Sequence, residues 1–260
     1  MTALAARRRH PLATAVLVLI GLVMTGAAYA ALLPGRAAAS GTVSADVEAG
    51  RKVFLSNCAT CHGFNAGGRN NAPALIGVGA ASVDFQVGTG RMPLQQSGPQ
   101  APQGKRKLTD DEVRQVAAYI ASLAPGPSIP TSDQYGAEGG DVSRGGLIFR
   151  TNCAMCHNFA GKGGALTRGK YAPSLTGVDP KYVYEAMVTG PQSMPVFNDQ
   201  TMDPQAKKDV IAYLQTIEKA PSPGGLALGS IGPVSEGLVG WGVGLLALIG
   251  CAVWLGTKSS

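Results

Sequence analysis

The chain has 260 residues, of which 45% are hydrophobic, and its formal net charge is +6. This length can form two ordinary domains with cores of their own, so the fold does not need a disulfide scaffold. Within residues 41–220, 17 basic residues face 15 acidic ones. This balance excludes an extended phosphate-binding face, and we expect no nucleic-acid partner.

The predicted elements begin with an apolar segment near the N-terminus. Residues Leu12–Leu33 form a stretch of 22 residues without a charge, which as a helix can cross a bilayer core of roughly 30 Å. A basic run at residues 7–9 precedes it, so the positive-inside rule predicts that the N-terminus lies in the cytoplasm and that everything after Leu33 lies outside. Residues 1–40 thus comprise a basic cytoplasmic tail and a transmembrane or signal segment. A cleaved signal peptide is the alternative, because Ala28 and Ala30 match a small-residue processing site.

The first of two repeated units is expected over residues 41–124. A helical segment at residues 46–57 leads into the motif Cys-Ala-Thr-Cys-His at residues 58–62. Apolar residues at helical spacing, preceded by a capping box that starts at Thr109, predict a final amphipathic helix. A polar insert, residues 95–107, precedes that helix and is interpreted as a solvated loop.

The second unit, residues 141–220, repeats the same features in the same order. A helical segment at residues 141–152 runs into the motif Cys-Ala-Met-Cys-His at residues 153–157. The last helix is predicted to begin after Asp203, with proline at its first position. Residues 125–140 lack periodicity and read as a linker. Because no long alternating run of apolar and polar residues occurs, we expect an all-α fold.

A second apolar segment lies near the C-terminus. Residues 221–237 are rich in Pro, Gly and Ser and form a predicted linker, and residues 238–256 form a predicted transmembrane helix. Trp241 and Trp254, the two tryptophans of the chain, lie near its ends, as aromatic side chains do at membrane interfaces. Lys258 follows the segment, so the C-terminus is expected to return to the cytoplasm. We therefore expect membrane lipid as a partner.

The pattern C-x-x-C-H is the attachment motif of c-type haem, and it occurs twice. Two thiols three residues apart form thioethers with one macrocycle, and the following histidine binds the iron. The candidate residues are Cys58, Cys61 and His62 in the first unit and Cys153, Cys156 and His157 in the second. The sequence therefore predicts two covalently bound haem c groups.

Two other uses of these cysteines were weighed. A four-thiolate zinc site usually has about 15–20 residues between its two C-x-x-C pairs, and here 91 residues separate Cys61 from Cys153. Disulfides within each pair form the second alternative. Both alternatives leave His62 and His157 without a purpose.

The second axial ligand of each haem can be sought by elimination. The chain has three histidines, and His10 lies before the first apolar segment, so a second histidine ligand is excluded. Methionine is the natural substitute and raises the haem potential. Met92 and Met194 both precede a proline and are the preferred candidates. Met187 and Met202 are the competitors near the second haem.

These residues resemble the class I cytochrome c family in both units, over roughly residues 45–220. In that family a proline carbonyl ahead of a leucine accepts a hydrogen bond from the haem-binding histidine. The resemblance assigns this role to Pro73 and Pro173, which would fix the two imidazoles. It also implies that Met92 and Met194, each followed by proline, close the far side of each haem.

The layout of apolar segment, tandem cytochrome c domains and C-terminal helix resembles the dihaem cytochrome c subunit of the actinobacterial cytochrome bcc complex. That resemblance implies a respiratory menaquinol:cytochrome c oxidoreductase that translocates protons. The implied partners are a cytochrome b subunit, a Rieske iron–sulfur subunit and a terminal cytochrome oxidase. The chain itself would be an electron carrier without catalytic residues. A cytochrome subunit of a periplasmic dehydrogenase and a dihaem peroxidase are the rival hypotheses.

Overall fold

The computed structural model describes residues 11–32, 42–70, 72–220, 228–230 and 233–258. The chain divides into two bodies, Met1–Val43 and Ser44–Ser260. In the first body, helix α1 covers Pro11–Leu32, and its window Leu12–Tyr29 is long and apolar enough to cross a membrane. The predicted basic tail lies outside the described residues. A signal sequence near an N-terminus passes the same test of length and composition.

The first domain contains four helices and one apolar core. Helix α2 covers Thr42–Asn57, α3 Ala59–His62, α4 Gly79–Gly88 and α5 Asp110–Leu123. The predicted capping box is present, since Thr109 Oγ1 accepts from the Glu112 backbone N–H and the Glu112 carboxylate accepts from the Thr109 N–H. The core is formed by buried side chains from these helices, among them Phe54, Val83, Val116 and Ile120.

The second domain repeats this arrangement. Helix α6 covers Ser132–Tyr135, α7 Val142–Asn152, α8 Ala154–His157, α9 Pro180–Thr189 and α10 Pro204–Lys219. Strands β1 (Gly164–Ala165) and β2 (Tyr171–Ala172) pair antiparallel, with Gly164 opposite Ala172, on either side of a 3-10 turn at Thr167–Gly169. Asp203 caps α10 by accepting a hydrogen bond from the Ala206 N–H. The prediction of an all-α fold with two repeated domains is confirmed, because the described helices recur in the same order and the strands have two residues each.

The same helix crossing supports both domains. A Cβ atom placed on Gly50 would lie 1.9 Å from the carbonyl oxygen of Gln115, and one on Gly145 would lie 1.9 Å from that of Asp209. Next to each crossing an aromatic pair packs at an angle, with centroids 5.3 Å apart for Phe54 and Tyr119. The corresponding pair of the second domain, Phe149 and Tyr213, is 5.4 Å apart. Glycine is therefore required where the helix that leads into each C-x-x-C-H motif, α2 or α7, touches the last helix of its domain.

The two domains contact each other through helices α4 and α9. Phe85 packs edge-on against Tyr182, with ring centroids 6.3 Å apart. Asp84 and Lys181 form an ion pair of 2.6 Å across the same interface. These contacts lie on faces that each domain alone would leave exposed.

Two segments predicted as a linker and a solvated loop are more ordered than expected. Residues 132–135 of the linker form helix α6, and Tyr135 packs against the second core. In the insert at residues 95–107, the side chains at 103–107 are exposed, as expected of a loop. However, Ala101 is buried, and Gln100 bonds the backbone of Tyr171 in the second domain.

Helix α11 covers Pro233–Thr257 and begins five residues before the predicted start. Its window Ser235–Thr257 is long and apolar enough to cross a membrane. Proline at its first position and Glu236 in its first turn favour this earlier start. The linker predicted over residues 221–237 therefore ends earlier. A short 3-10 turn, Leu228–Ser230, lies within it, and residues 221–227 and 231–232 are outside the described residues.

Candidate haem-binding sites

Each C-x-x-C-H motif forms a single helical turn directly after the first long helix of its domain. The Cys58 N–H donates to the Phe54 carbonyl at 2.8 Å, and the His62 N–H donates to the Cys58 carbonyl at 2.9 Å. The second motif repeats this pattern with the same distances at Cys153 and His157. Because residues three and four apart lie on one face of a helix, this turn presents the two thiols and the imidazole on the same side.

Each histidine of these motifs is oriented by a proline carbonyl. The Nδ1 atom of His62 lies 2.8 Å from the carbonyl oxygen of Pro73, and Nδ1 of His157 lies 2.9 Å from that of Pro173. A proline carbonyl can only accept, so Nδ1 carries the proton and donates. Nε2 therefore keeps its lone pair, which is the form needed to bind a metal.

Burial keeps the His157 ring in this neutral form. The pKa of His157 is lowered by desolvation, and the hydrogen bond to the Pro173 carbonyl opposes this effect only in part. The imidazole of His62 is itself buried, with 9% of its surface exposed. The surroundings of His157 thus favour an uncharged ligand.

The first cysteine of each motif is a protonated thiol. Burial raises the pKa of Cys58 to about 11, and the neighbouring Cys61 adds to the effect. Burial and Cys156 raise the pKa of Cys153 to about 11 in the same way. Zinc ligands and redox-active dithiols require thiolates, which such sites disfavour. A thioether carries no charge and fits them.

The candidate methionines differ in their surroundings. Met92 packs against the first core, together with Cys58. Met194 and Met187 both line a cavity in the second domain, whereas Met202 is a buried core residue that is not among the cavity's lining residues. Met187 is 2% exposed and lies within helix α9, and Met194 follows that helix in an irregular segment.

The cavity in the second domain has a volume of about 980 Å³. It brings together side chains that lie far apart in the sequence, and these include Cys153, Cys156, His157, Pro173, Met187 and Met194. Its size is at the upper end of ordinary ligand pockets, and apolar side chains such as Phe149, Val183, Val210 and Leu214 form much of its wall. The described residues therefore fit a large, flat, mostly apolar group attached through two thiols and a histidine.

The zinc alternative fails a direct test. Among the described residues, which include all five cysteines, no group of three or more His, Cys, Asp or Glu side chains comes together to hold a metal ion. The cysteines of the two motifs belong to different cores, because Cys58 packs on the first and Cys153 on the second. A single four-thiolate site is thus not formed.

The first domain also contributes to the wall of this cavity, which the sequence did not predict. Phe85, Thr89, Arg91, Gln100 and Ala101 line it together with the residues of the second domain. These residues lie in helix α4, in the turn after it and in the polar insert. The sequence carried no signal for these contacts, because the polar composition of the insert at residues 95–107 does not show where a loop docks.

Comparison with known proteins assigns both domains. Residues 47–124 match the cytochrome c family. Residues 140–214 match the family described as cytochrome c oxidase, cbb3-type, subunit III. Two cytochrome c domains imply covalently bound haem c, in agreement with the two motifs.

The chain is also similar over nearly its whole length to proteins named cytochrome bc1 complex cytochrome c subunit. It is 41% identical to the one from Corynebacterium efficiens, over 96% of this chain and 90% of the relative. It is 41% identical to the one from Mycobacterium tuberculosis, over 97% and 93%. The relative from Corynebacterium diphtheriae is 38% identical over 96% and 95%.

Proposed function

Because this chain belongs to the family of cytochrome bc1 complex cytochrome c subunits, we propose that it carries two haem c groups and relays single electrons between them. The observation that carries this proposal is the duplicated site. In both domains a C-x-x-C-H turn is followed by a proline carbonyl 2.8–2.9 Å from the histidine Nδ1. A carrier with one haem would need only one such site.

In this proposal each haem is held by four side chains of its own domain. Cys58 and Cys61 attach the first haem, and His62 and Met92 bind its iron. The second set is Cys153, Cys156, His157 and Met194. The bound haem supplies a one-electron couple, Fe(III)/Fe(II), whose potential a methionine ligand raises. Pro73 and Pro173 keep the two imidazoles in one orientation during both redox states.

We further propose where the relay lies in the respiratory chain. The family name refers to a complex that is a quinol–cytochrome c reductase. The chain would accept electrons from a Rieske iron–sulfur subunit beside a cytochrome b subunit and pass them to a terminal cytochrome oxidase. Helices α1 and α11 would anchor it, with both haem domains on the extracytoplasmic side. The proton-translocating reaction then belongs to the whole complex.

Purification of the complex from membranes tests this proposal. We expect cytochrome b and Rieske subunits to copurify, and we expect two haems per chain by pyridine haemochrome assay and by mass. A dehydrogenase partner in their place would support the rival periplasmic dehydrogenase. Rapid turnover of hydrogen peroxide by the complex would indicate a peroxidase. A colourless chain would overturn every haem-based reading.

The choice of the second haem's methionine ligand has its own test. We expect Met194→Leu to remove the methionine–iron charge-transfer band of one haem and to lower that haem's potential. Met187→Leu is the matched control, because Met187 lines the same cavity and leucine conserves its volume. Loss of the band in Met187→Leu alone would assign the ligand to Met187 instead.

A further inference from the structure

A buried cation of the first domain faces the cavity of the second. Arg91 is 9% exposed and is one of the cavity's lining residues. Its Nη1 atom has no hydrogen-bond partner, and none of the ion pairs among the described residues includes Arg91. A buried N–H donor without an acceptor is costly, so the surroundings of Nη1 call for an acceptor.

The direction of the Arg91 side chain is fixed by the contact between the domains. Its guanidinium carbon lies 4.7 Å from the centroid of the Phe85 ring, a distance at which a cation and an aromatic face attract each other. Phe85 in turn packs on Tyr182 of the second domain. The helices are close at Gly88, because a Cβ atom there would lie 2.4 Å from the Tyr182 hydroxyl, which would have to shift. Arg91 is thus held where the two helices meet.

The protein itself offers little negative charge in this cavity. Among the described residues that line it, the charged side chains besides Arg91 are Lys162 and Asp179. Asp179 Oδ1 already accepts a hydrogen bond from the Lys181 backbone and caps helix α9. The lining therefore carries an excess of positive charge, and an anion is expected inside the cavity.

We infer that Arg91 binds a propionate carboxylate of the second haem, so that the first domain completes the second haem's site. This inference rests on the proposed attachment of that haem at Cys153 and Cys156. A guanidinium can donate two parallel hydrogen bonds to one carboxylate, which makes arginine the side chain best suited to this anion.

One consequence concerns the communication between the two haems. Arg91 directly precedes Met92, the proposed iron ligand of the first haem. One peptide unit therefore connects the ligand of one haem to the counter-charge of the other. A fixed positive charge near the second haem favours its reduced state, because reduction removes one positive charge from the iron.

The test uses the intact complex with the variants Arg91→Gln and Arg91→Lys. Redox titrations followed by absorbance give the midpoint potential of each haem. The variant Met194→His changes a proposed ligand of the second haem, so the titration step that it shifts belongs to that haem. We expect Arg91→Gln to lower the potential of the second haem more than that of the first. Arg91→Lys keeps the charge but not the paired hydrogen bonds, so a smaller shift is expected. It also serves as the second variant if Arg91→Gln fails to assemble.

Arg114→Gln is the matched control, because Arg114 belongs to the same domain but is exposed and paired with Asp46 and Asp111. Its effect on both potentials should be small. If Arg91→Gln leaves the second haem's potential where Arg114→Gln does, or moves only the first haem, the inference is overturned. A single haem per chain would overturn the proposed function itself, whereas two haems with unchanged potentials would overturn only the role of Arg91.

Discussion

The two haem domains share one helical frame but hold charge in different ways. In both, a glycine lets the helix before the C-x-x-C-H motif touch the last helix, and a phenylalanine and a tyrosine pack beside the crossing. In the first domain, the residue on the last helix at this crossing is Gln115, which is half-buried. In the second domain the same position is Asp209, which is fully buried.

Asp209 is the centre of a polar network that the first domain lacks at this position. Its carboxylate accepts from the Asp141 N–H at 2.8 Å, from Gln205 Nε2 at 2.8 Å and from Arg144 Nη1 at 3.0 Å. A second buried charge, Lys207, donates from Nζ to the Met202 carbonyl and pairs with Asp199. The comparison shows that the close helix crossing is common to both domains, whereas the polar contacts beside it differ between them.

The largest expected effect comes from breaking what the domains share. We expect Gly50→Ala and Gly145→Ala each to destabilise their own domain by roughly 3 kcal/mol, at the upper end for overpacking, because the new Cβ would meet a backbone oxygen. Thermal unfolding of the intact complex, followed separately at each haem, measures the effect.

The control for these variants is Gly67→Ala, since no atom lies within 4 Å of the new methyl group. It should leave both transitions in place. Equal stability of Gly145→Ala and the unchanged chain would show that the helices can separate at little cost, and the idea of a common glycine crossing would then fail.

A smaller effect should expose the difference between the domains. Removal of the carboxylate in Asp209→Ala leaves the Asp141 N–H and the Gln205 amide without their acceptor, so we expect a loss of roughly 2–3 kcal/mol. The value is reduced because the side chain of Arg144 is 46% exposed and can turn to water. Gln115→Ala, the matched change in the first domain, should cost at most about 0.5 kcal/mol. Urea unfolding of the two variants compares them, and equal losses would contradict this view.

The frame could be predicted from the sequence, but the contacts between the domains could not. Helices capped by Thr109 and Asp203 carry local signals, because capping depends on residues a few positions apart. The two C-x-x-C-H turns likewise depend on spacing alone. Gln100 and Asp84 gain their partners only when the domains dock, and no periodic pattern reports such long-range contacts. For the same reason the insert was expected to be a solvated loop.

The smallest expected effect concerns the pH dependence of the docked domains. Burial, followed by the neighbouring carboxyl of Asp84, raises the pKa of Glu185 to about 10, while Asp179 adds to this effect and Lys181 opposes it. The folded chain therefore retains a proton that the unfolded chain releases above its ordinary pKa of 4.5. The stability that the folded chain has with Glu185 protonated is fully present below pH 4.5, and it is lost as the pH rises toward 10.

We expect Glu185→Gln, which mimics the protonated carboxyl, to flatten the decline of the unfolding temperature between about pH 5 and 9. Glu138→Gln, a change at an exposed glutamate, should leave the decline unchanged. Identical pH profiles for Glu185→Gln and the unchanged chain would show that Glu185 is already ionised in the folded state. Titration of the full-length protein in detergent by scanning calorimetry gives these profiles.

The amide of Gln100 has a consequence for the rate of the proposed relay. It bonds the Tyr171 backbone at both ends, through Nε2 to the carbonyl at 3.1 Å and through Oε1 from the N–H at 2.7 Å. Two hydrogen bonds made by one planar amide resist both sliding and rotation of the two domains against each other. The rate of electron tunnelling falls exponentially with the distance between the two haems. A pair of bonds that fixes the domains would keep this distance constant, and each transfer would then take a similar time.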